Sequence, residues 1–174
     1  MGASVAYTWG TTPEERARAF PCDTLLPSAS QAYWRGVTVE ATPARVFRWL
    51  CQLRAGPYSY DWIDNLGRRS PQTLTPGLES LSVGQRVMIF DLASFERDVH
   101  LTLRLRRSGV FPALAISYLV VPLSPGEVRL LAKLVLVVGS GLFDRVRAEL
   151  LAWGDLVMMR RQLLNLKRLA ETSG

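Results

Sequence analysis

A short stretch after a Gly-Pro break carries the side chains best suited to chemistry. Gly56-Pro57 ends the preceding segment, because proline restricts the residue before it and lacks an N–H. The next five residues are Tyr58, Ser59, Tyr60, Asp61 and Trp62. Among them, Asp61 could act as a general base while a phenol donates to a developing enolate. The same side chains could instead offer a ligand apolar area and a few directed hydrogen bonds.

A purely structural interpretation of this stretch stands beside the chemical one. Ser59 is a suitable N-cap for a short helix through Leu66, with Gly67 as its stop. Asp61 would then lie in the first turn, where the helix dipole favours a carboxylate whatever its function. The aromatic side chains could close one end of the core, since buried aromatics usually serve packing. From residue types alone, the structural interpretation is preferred.

Two further aromatic side chains are candidates for ligand binding. Tyr118 falls in an apolar strand expected at 113–121, where Ser117 is the other polar side chain and points to the opposite face. Trp153 falls on a long C-terminal helix, where it either fills the interior or faces a ligand. His100 lies on the polar face of an alternating strand and is interpreted as a surface histidine rather than a catalytic base.

Several kinds of chemistry have no motif in this sequence. It contains no GxSxG, no HExxH, no GxGxxG after a strand and no phosphate-binding loop. Cys22 and Cys51 form no metal-ligand pattern, and a single histidine cannot build a histidine cluster. We therefore expect no metal and no cofactor. A reduced, cytoplasmic chain is the simpler interpretation of two isolated cysteines, and no signal peptide is evident.

The charge of the chain points to a basic surface. The net charge is +6, and Lys133 and Lys167 are the two lysines among the 21 basic residues. The arginines are scattered rather than clustered with stacking aromatics, which favours a solvated surface over a nucleic-acid interface. Attraction to anionic ligands or membrane surfaces stays open. Residues 108–126 are uncharged but interrupted by three prolines, so a buried strand is expected there rather than a stable membrane insertion.

The hydrophobic pattern predicts the elements that would position the candidate residues. Residues 1–31 are interpreted as an N-terminal arm and residues 32–171 as one domain. Strands are expected at 32–41, 86–91, 99–107, 113–121 and 127–138, helices at 43–53 and 142–170, and a connection at 90–98. One stripe of the long helix is predicted to face a concave sheet: Val146, Leu150, Trp153, Val157 and Leu164.

The segment from Cys51 to Gly56, followed by Tyr58-Ser59-Tyr60-Asp61-Trp62, resembles the signature of a bacterial branch of the START-like, SRPBCC superfamily whose members are often labelled polyketide cyclase/dehydrase-like. Three further pieces match in order, at 81–87, 128–131 and 158–171. The resemblance implies an α+β helix-grip fold, in which a curved antiparallel sheet wraps around a long C-terminal helix, with two short helices and an internal cavity. It does not imply one activity, because the superfamily spans carriers, receptors and enzymes.

These observations lead to a binding hypothesis and two alternatives. The first is a protein that binds a hydrophobic, polyketide- or lipid-like small molecule in an internal cavity. The expected ligand-binding residues are Tyr58, Tyr60, Asp61, Trp62, Tyr118 and Trp153. The second is a cyclase or dehydratase with Asp61 as base and Tyr60 or Tyr58 as donor. The third is an interaction module without a ligand, favoured if Trp153 and its neighbours fill the interior. A homodimer is left open.

Overall fold

The computed structural model describes residues 4–60, 67, 69–105, 112–139 and 141–173. Within these residues, six strands form one antiparallel sheet in the order β1-β6-β5-β4-β3-β2. The strands are β1 (Gln31–Val39), β2 (Arg86–Val87), β3 (Phe90–Glu96), β4 (His100–Leu105), β5 (Leu114–Ser124) and β6 (Glu127–Leu136). The first strand pairs with the last, from Gln31 opposite Leu136 to Val39 opposite Val128.

The helices carry clear start signals. Helix α4 (Pro43–Cys51) begins at a proline after Thr42, whose hydroxyl accepts from the Arg45 N–H, and it runs into a 3-10 turn at Gln52–Arg54. Three short helices precede it: α1 (Val5–Thr8), α2 (Pro13–Arg16) and α3 (Pro21–Leu25). The last element is the long helix α5 (Leu142–Thr172), which has no side-chain N-cap.

The main core lies between one face of the sheet, helix α4 and the second half of α5. Apolar side chains of alternating strand residues meet Trp49 and Leu50 of α4. Helix α5 contributes Met159, Leu163 and Leu166, which recur at helical spacing. The α+β helix-grip architecture expected from the sequence is therefore confirmed.

The N-terminal segment lies on the opposite face of the sheet. Phe20 and Cys22 are buried against Leu131 and Val135, which alternate with the residues of the main core. The Cys22 N–H donates to the Ser117 hydroxyl at 2.9 Å. The N-terminal segment therefore covers part of this face. His100, which the sequence placed on a solvated face, is only partly exposed, and its ring lies 3.4 Å from the Ser94 hydroxyl.

The predicted 90–98 connection is wrong, because Phe90–Glu96 forms strand β3. Its sequence contains Asp91 and Ser94, which are not typical of strands, and the register shifts between Leu92 and Ser94. Pairing with β4, from Phe90 opposite Leu105 to Glu96 opposite His100, holds it in the sheet. Pairing with β4 therefore outweighs the low strand propensity of these residues.

The predicted inward stripe of α5 is also wrong over its first half. Leu150 is 69% exposed and Trp153 is 46% exposed. The face that meets the sheet instead carries Ala148 and Ala152, with Leu156. The two alanines allow close approach to β1, where the Tyr33 hydroxyl donates to the Ala148 carbonyl at 2.9 Å. In the first half of this helix, the alanines therefore lie on the buried side and the large apolar side chains lie on the outer side.

Candidate functional site

A cavity of about 290 Å³ lies between the sheet and α5. Most of its wall is apolar carbon or thioether sulfur, and the polar side chains come from a few positions. The described lining residues are Leu53, Pro57, Ser59, Val87, Met88, Ile89, Phe90, Leu103, Ile116, Tyr118, Leu134, Asp155, Met158, Met159 and Gln162. Apolar walls with a small number of convergent polar groups are typical of small-molecule sites.

Tyr118 carries the first polar group of the cavity. It lies on β5 and is buried, and its hydroxyl donates to Gln162 Oε1 at 2.7 Å, with Met159 Sδ at 3.9 Å. Gln162 in turn donates through Nε2 to the Pro57 carbonyl at 2.6 Å. Burial raises the pKa of Tyr118 well above its ordinary value, so the phenol stays protonated. Its oxygen keeps lone pairs that can accept a hydrogen bond.

Asp155 carries the second polar group, and it is held by a buried arginine. Arg35, on β1, is 1% exposed and donates through one terminal nitrogen to Asp155 Oδ2 at 2.7 Å. The same nitrogen is within 2.8 Å of the Ala6 carbonyl and 3.3 Å of the Ala152 carbonyl. The guanidinium therefore ties the N-terminal segment, the first strand and α5 together at the cavity.

The protonation of Asp155 is shifted toward neutral pH. Burial raises the pKa of this carboxyl to about 6, although the charge of Arg35 and its hydrogen bond act in the opposite direction. Burial also lowers the pKa of Arg35, which as a guanidinium still carries its charge. A carboxyl that titrates near neutrality inside an apolar cavity can either bind a hydroxyl or exchange a proton with a guest.

Tyr58 is placed in the core rather than in the cavity lining. Its side chain is 1% exposed and packs edge-on against Trp49, with ring centroids 6.1 Å apart. Its backbone has φ 55°, a conformation that is uncommon for a side chain of this size. Two hydrogen bonds hold it there: its N–H donates to the Ser70 hydroxyl at 3.1 Å, and its carbonyl accepts from Asn165 Nδ2 at 2.8 Å. This conformation sets the positions of Pro57 and Ser59, which do line the cavity.

The other predicted site residues are not all brought together. Tyr60 is partly exposed, and the Arg161 guanidinium lies 5.8 Å from its ring centroid. Asp61 and Trp62, together with most of the short helix expected there, lie outside the described residues. The expected inward position of Trp153 is wrong, because its side chain is on the outer face of α5. Of the six predicted ligand-binding residues, Tyr118 is the one among the described cavity-lining residues.

Sequence reasoning missed the polar residues that α5 brings to the cavity. Asp155 and Gln162 are seven residues apart, and both share a helix face with Ala148, Ala152 and Leu166. The signal available in the sequence was that Asp155 and Gln162 recur on the same helix face as the small residues Ala148 and Ala152. Arg35 offered a second one, because it has the same strand parity as the inward-facing Tyr33 and Val37.

A larger and more open groove, of about 730 Å³, lies on the other face of the sheet beside the N-terminal segment. Of the two described cations that line it, Arg16 donates to the Thr11 carbonyl at 2.9 Å, and Lys133 is paired with Asp23 at 2.6 Å. Lys133 also lies 5.3 and 5.2 Å from the ring centroids of Phe20 and Trp34. Both cations already have partners, so the more enclosed cavity is the better candidate site.

Two features of the described residues bear on the class of site. No group of three or more His, Cys, Asp or Glu side chains there could hold a metal ion. None of the helices in that part of the chain has the length and apolar content needed to cross a membrane.

The sheet, the long C-terminal helix and the cavity between them define the class as an α+β helix-grip fold. Among solved structures, the chain is similar to hypothetical protein jhp0584 from Helicobacter pylori, at 16% identity and a TM-score of 0.55 over 88% of this chain and 96% of that one. It is also similar to protein Ms6760 from Mycobacterium smegmatis, at 12% identity and a TM-score of 0.52 over 90% and 98% of the two chains.

A weaker likeness is to the di-domain ARO/CYC BexL from the BE-7585A biosynthetic pathway, at 11% identity and a TM-score of 0.49 over 81% of this chain and 46% of that one. No protein-family profile matches the sequence, and no curated protein matches it significantly. At these identities the likenesses concern the fold alone.

Proposed function

We propose that this protein binds a small hydrophobic molecule, polyketide- or lipid-like, in the cavity between the sheet and α5. The observation that carries the proposal is the wall itself: aliphatic and methionine side chains surround Tyr118, Gln162 and Asp155. A volume of about 290 Å³ is at the lower end of the range of ligand pockets, so a compact guest fits better than a long acyl chain.

The polar groups define which end of the guest would be recognised. Tyr118 already donates its proton to Gln162, so its oxygen is left as an acceptor. Asp155 uses Oδ2 for Arg35, which leaves its second oxygen as another acceptor. A guest with hydroxyl or phenol donors at one end and apolar carbon at the other therefore suits this cavity. Hydroxylated aromatic polyketides belong to that chemical class.

The proposed setting is a cytoplasmic monomer or homodimer, with no nucleic acid involved. Cys22 and Cys51 are both buried free thiols, which supports a reducing compartment.

The test is a titration of the protein with a panel of hydroxylated aromatics and fatty acids, in which tryptophan fluorescence reports binding. We expect saturable binding, strongest for compact guests with hydroxyl donors. Met158→Trp should fill the cavity and weaken binding at least tenfold, because Met158 lines it. Val157→Trp is the matched control, since Val157 is the adjacent residue and is 51% exposed. Equal binding by both variants would contradict the proposal.

A second candidate function is general acid–base catalysis on a bound polyketide-like substrate. The observation that favours it is the raised pKa of Asp155, about 6, beside the protonated Tyr118 in the same cavity. Such a carboxylate could take a proton from a carbon between two carbonyls. The Tyr118 hydroxyl would have to leave Gln162 before it could donate to the enolate oxygen. Asp61 and Tyr60 remain the alternative pair that we propose from the sequence.

Substitutions in the Asp155–Tyr118 pair and in the Asp61–Tyr60 pair distinguish catalysis from binding alone. If the protein is an enzyme that uses the cavity pair, Asp155→Asn should abolish turnover of a linear poly-β-ketone while binding stays within a few-fold. If Asp61 and Tyr60 carry the reaction, Asp61→Asn and Tyr60→Phe should lose turnover instead. If the unaltered protein binds the guest but does not turn it over, the catalytic proposal is contradicted and the binding proposal stands.

A further inference from the structure

The outer face of the first half of α5 carries a continuous apolar stripe. We name its five members the outer stripe: Phe143, Val146, Leu150, Trp153 and Val157. Their side chains are 92, 55, 69, 46 and 51% exposed, in that order. The spacings alternate between three and four residues, so the side chains form one line about 21 Å long on the helix. A patch of this kind on a single chain marks an interaction surface rather than scattered exposed residues.

The same helix face becomes basic directly after the stripe. Arg160, Arg161 and Arg168 are all exposed. At 100° per residue, Arg161 and Arg168 project within about 20° of the direction of Leu150. The line of apolar side chains therefore continues into a line of guanidinium groups on the outer side of α5.

Two acidic side chains lie at the edges of this face. Glu171 pairs with Lys167 at 2.6 Å, whereas Glu149 accepts a hydrogen bond from the neutral Tyr7 hydroxyl at 2.6 Å. Apart from Glu149, the face is apolar at one end and cationic at the other, on a chain whose net charge is +6. An occupant has to be apolar where it meets the stripe and anionic where it meets the arginines.

We infer that the outer stripe and its arginines form a docking surface for an anionic phospholipid bilayer. Apolar side chains of a surface helix enter the boundary between headgroups and acyl chains, and arginines bind headgroup phosphates. Trp153 lies in the middle of the stripe, and tryptophan is favoured at this boundary. The helix lies in the plane of the membrane and does not cross it.

A second copy of the chain suits this face less well. In a parallel pair the arginines of the two copies would face each other, which places like charges together. In an antiparallel pair centred on Leu150, Arg160 and Arg161 of one copy would approach the N-terminal end of α5 in the other, where the Asp144 carboxylate already accepts from the Gly141 N–H. An anionic bilayer instead complements the whole line of arginines.

The experiment is sedimentation of the protein with vesicles of phosphatidylcholine alone and of phosphatidylcholine mixed with phosphatidylglycerol. We expect binding to the mixed vesicles only, a blue shift of tryptophan emission, and weaker binding as NaCl is raised. Leu150→Glu should reduce binding at least tenfold. Leu123→Glu is the matched control and should leave binding unchanged, because Leu123 is 54% exposed at the end of β5, away from the stripe.

The charge contribution has its own matched pair. The double variant Arg160→Gln/Arg161→Gln should reduce binding to mixed vesicles about tenfold or more. Arg18→Gln/Arg104→Gln removes two exposed arginines elsewhere and should have a much smaller effect. Circular dichroism checks that each variant is folded. The inference is overturned if the protein fails to bind mixed vesicles, if Leu150→Glu and Leu123→Glu bind equally, or if the stripe proves to be buried in a solution dimer that Leu150→Glu dissociates.

Discussion

Arg35 and Asp155 meet at 2.7 Å, although they are 120 residues apart in the chain. Their contact joins the first strand of the sheet to the long helix, at the wall of the cavity. Arg35 is 1% exposed and Asp155 is 14% exposed, so the pair is largely removed from water. Both the stability of the fold and the chemistry of the cavity therefore depend on the same pair of charges.

Removing the cation of this pair should be costly. Arg35→Met leaves a buried carboxylate without its partner and should lower the free energy of unfolding by about 3–5 kcal/mol. Urea denaturation at pH 7 measures the change. The matched control is Arg48→Met, because Arg48 pairs with Glu79 at 2.8 Å but is half exposed. That substitution should cost about 0–1 kcal/mol. Similar costs for the two variants would contradict the buried character of the Arg35–Asp155 pair.

The pH dependence of stability should carry the signature of Asp155. Its pKa is about 6 in the folded protein and 3.8 as its ordinary value, so the folded state holds this proton more tightly. The stabilisation from protonated Asp155 is therefore complete below pH 3.8 and is lost as the pH rises through 6. The full effect is about 3 kcal/mol.

The measurement is the difference in unfolding free energy between Asp155→Asn and the unaltered protein, from pH 4 to pH 7. The free energy of unfolding of the variant should increase relative to that of the unaltered protein as the pH rises. The reason is that the amide does not titrate and can still accept a hydrogen bond from Arg35. Glu15 and Glu171, whose pKa values are lowered, lose stabilisation as the pH falls, but their contribution cancels in this difference. A difference that does not change with pH would contradict the assigned shift.

The hydrophobic pattern predicted most of the strands and the long helix, but it missed strand β3 and the facing of α5. Strands β1, β4 and β6 were predicted from alternation, and β5 was predicted from a run that is apolar on both faces. The helix was predicted as well, but its largest apolar residues were assigned to the core. A projection of the sequence cannot tell a face that packs closely through alanine from one that displays leucine and tryptophan to a partner. Ala148 and Ala152 lie on the first kind of face, and Leu150 and Trp153 on the second.

The candidate site was predicted in part, for a comparable reason. Tyr118 was identified because it is one of two polar side chains in an otherwise apolar strand. Asp155 and Arg35 were missed because they are 120 residues apart, and only the strand register and helix position bring them together. Tyr58 was expected at the mouth of the cavity, but its positive φ turns the side chain into the core against Trp49. Long-range contacts and backbone conformation decided each of these positions.

The Tyr118 hydroxyl should matter for both stability and binding. Tyr118→Phe leaves Gln162 Oε1 without its donor in a buried site, so we expect a loss of about 1–3 kcal/mol in unfolding free energy. It also removes one acceptor from the cavity, which should weaken binding of hydroxylated guests more than that of apolar ones. Denaturation and guest titration measure the two effects.

A double-mutant cycle isolates the Tyr118–Gln162 interaction. Tyr118→Phe in the background of Gln162→Leu should cost clearly less than it does alone, because the unsatisfied amide oxygen is then absent. Equal costs in the two backgrounds would mean that the hydroxyl acts through another contact.

The facing of α5 can be tested with two substitutions only two residues apart. Ala152 is fully buried, and its carbonyl accepts from Arg35 on β1, so Ala152→Leu should force the helix away from the sheet. Overpacking of this kind costs about 1–3 kcal/mol. Leu150 is 69% exposed, so Leu150→Ala should change the unfolding free energy by no more than about 0.5 kcal/mol. Urea denaturation of both variants measures the two effects. If Leu150→Ala were the more destabilising change, the stripe predicted from hydrophobic periodicity would face the sheet. The outer surface proposed for membrane docking would then not exist.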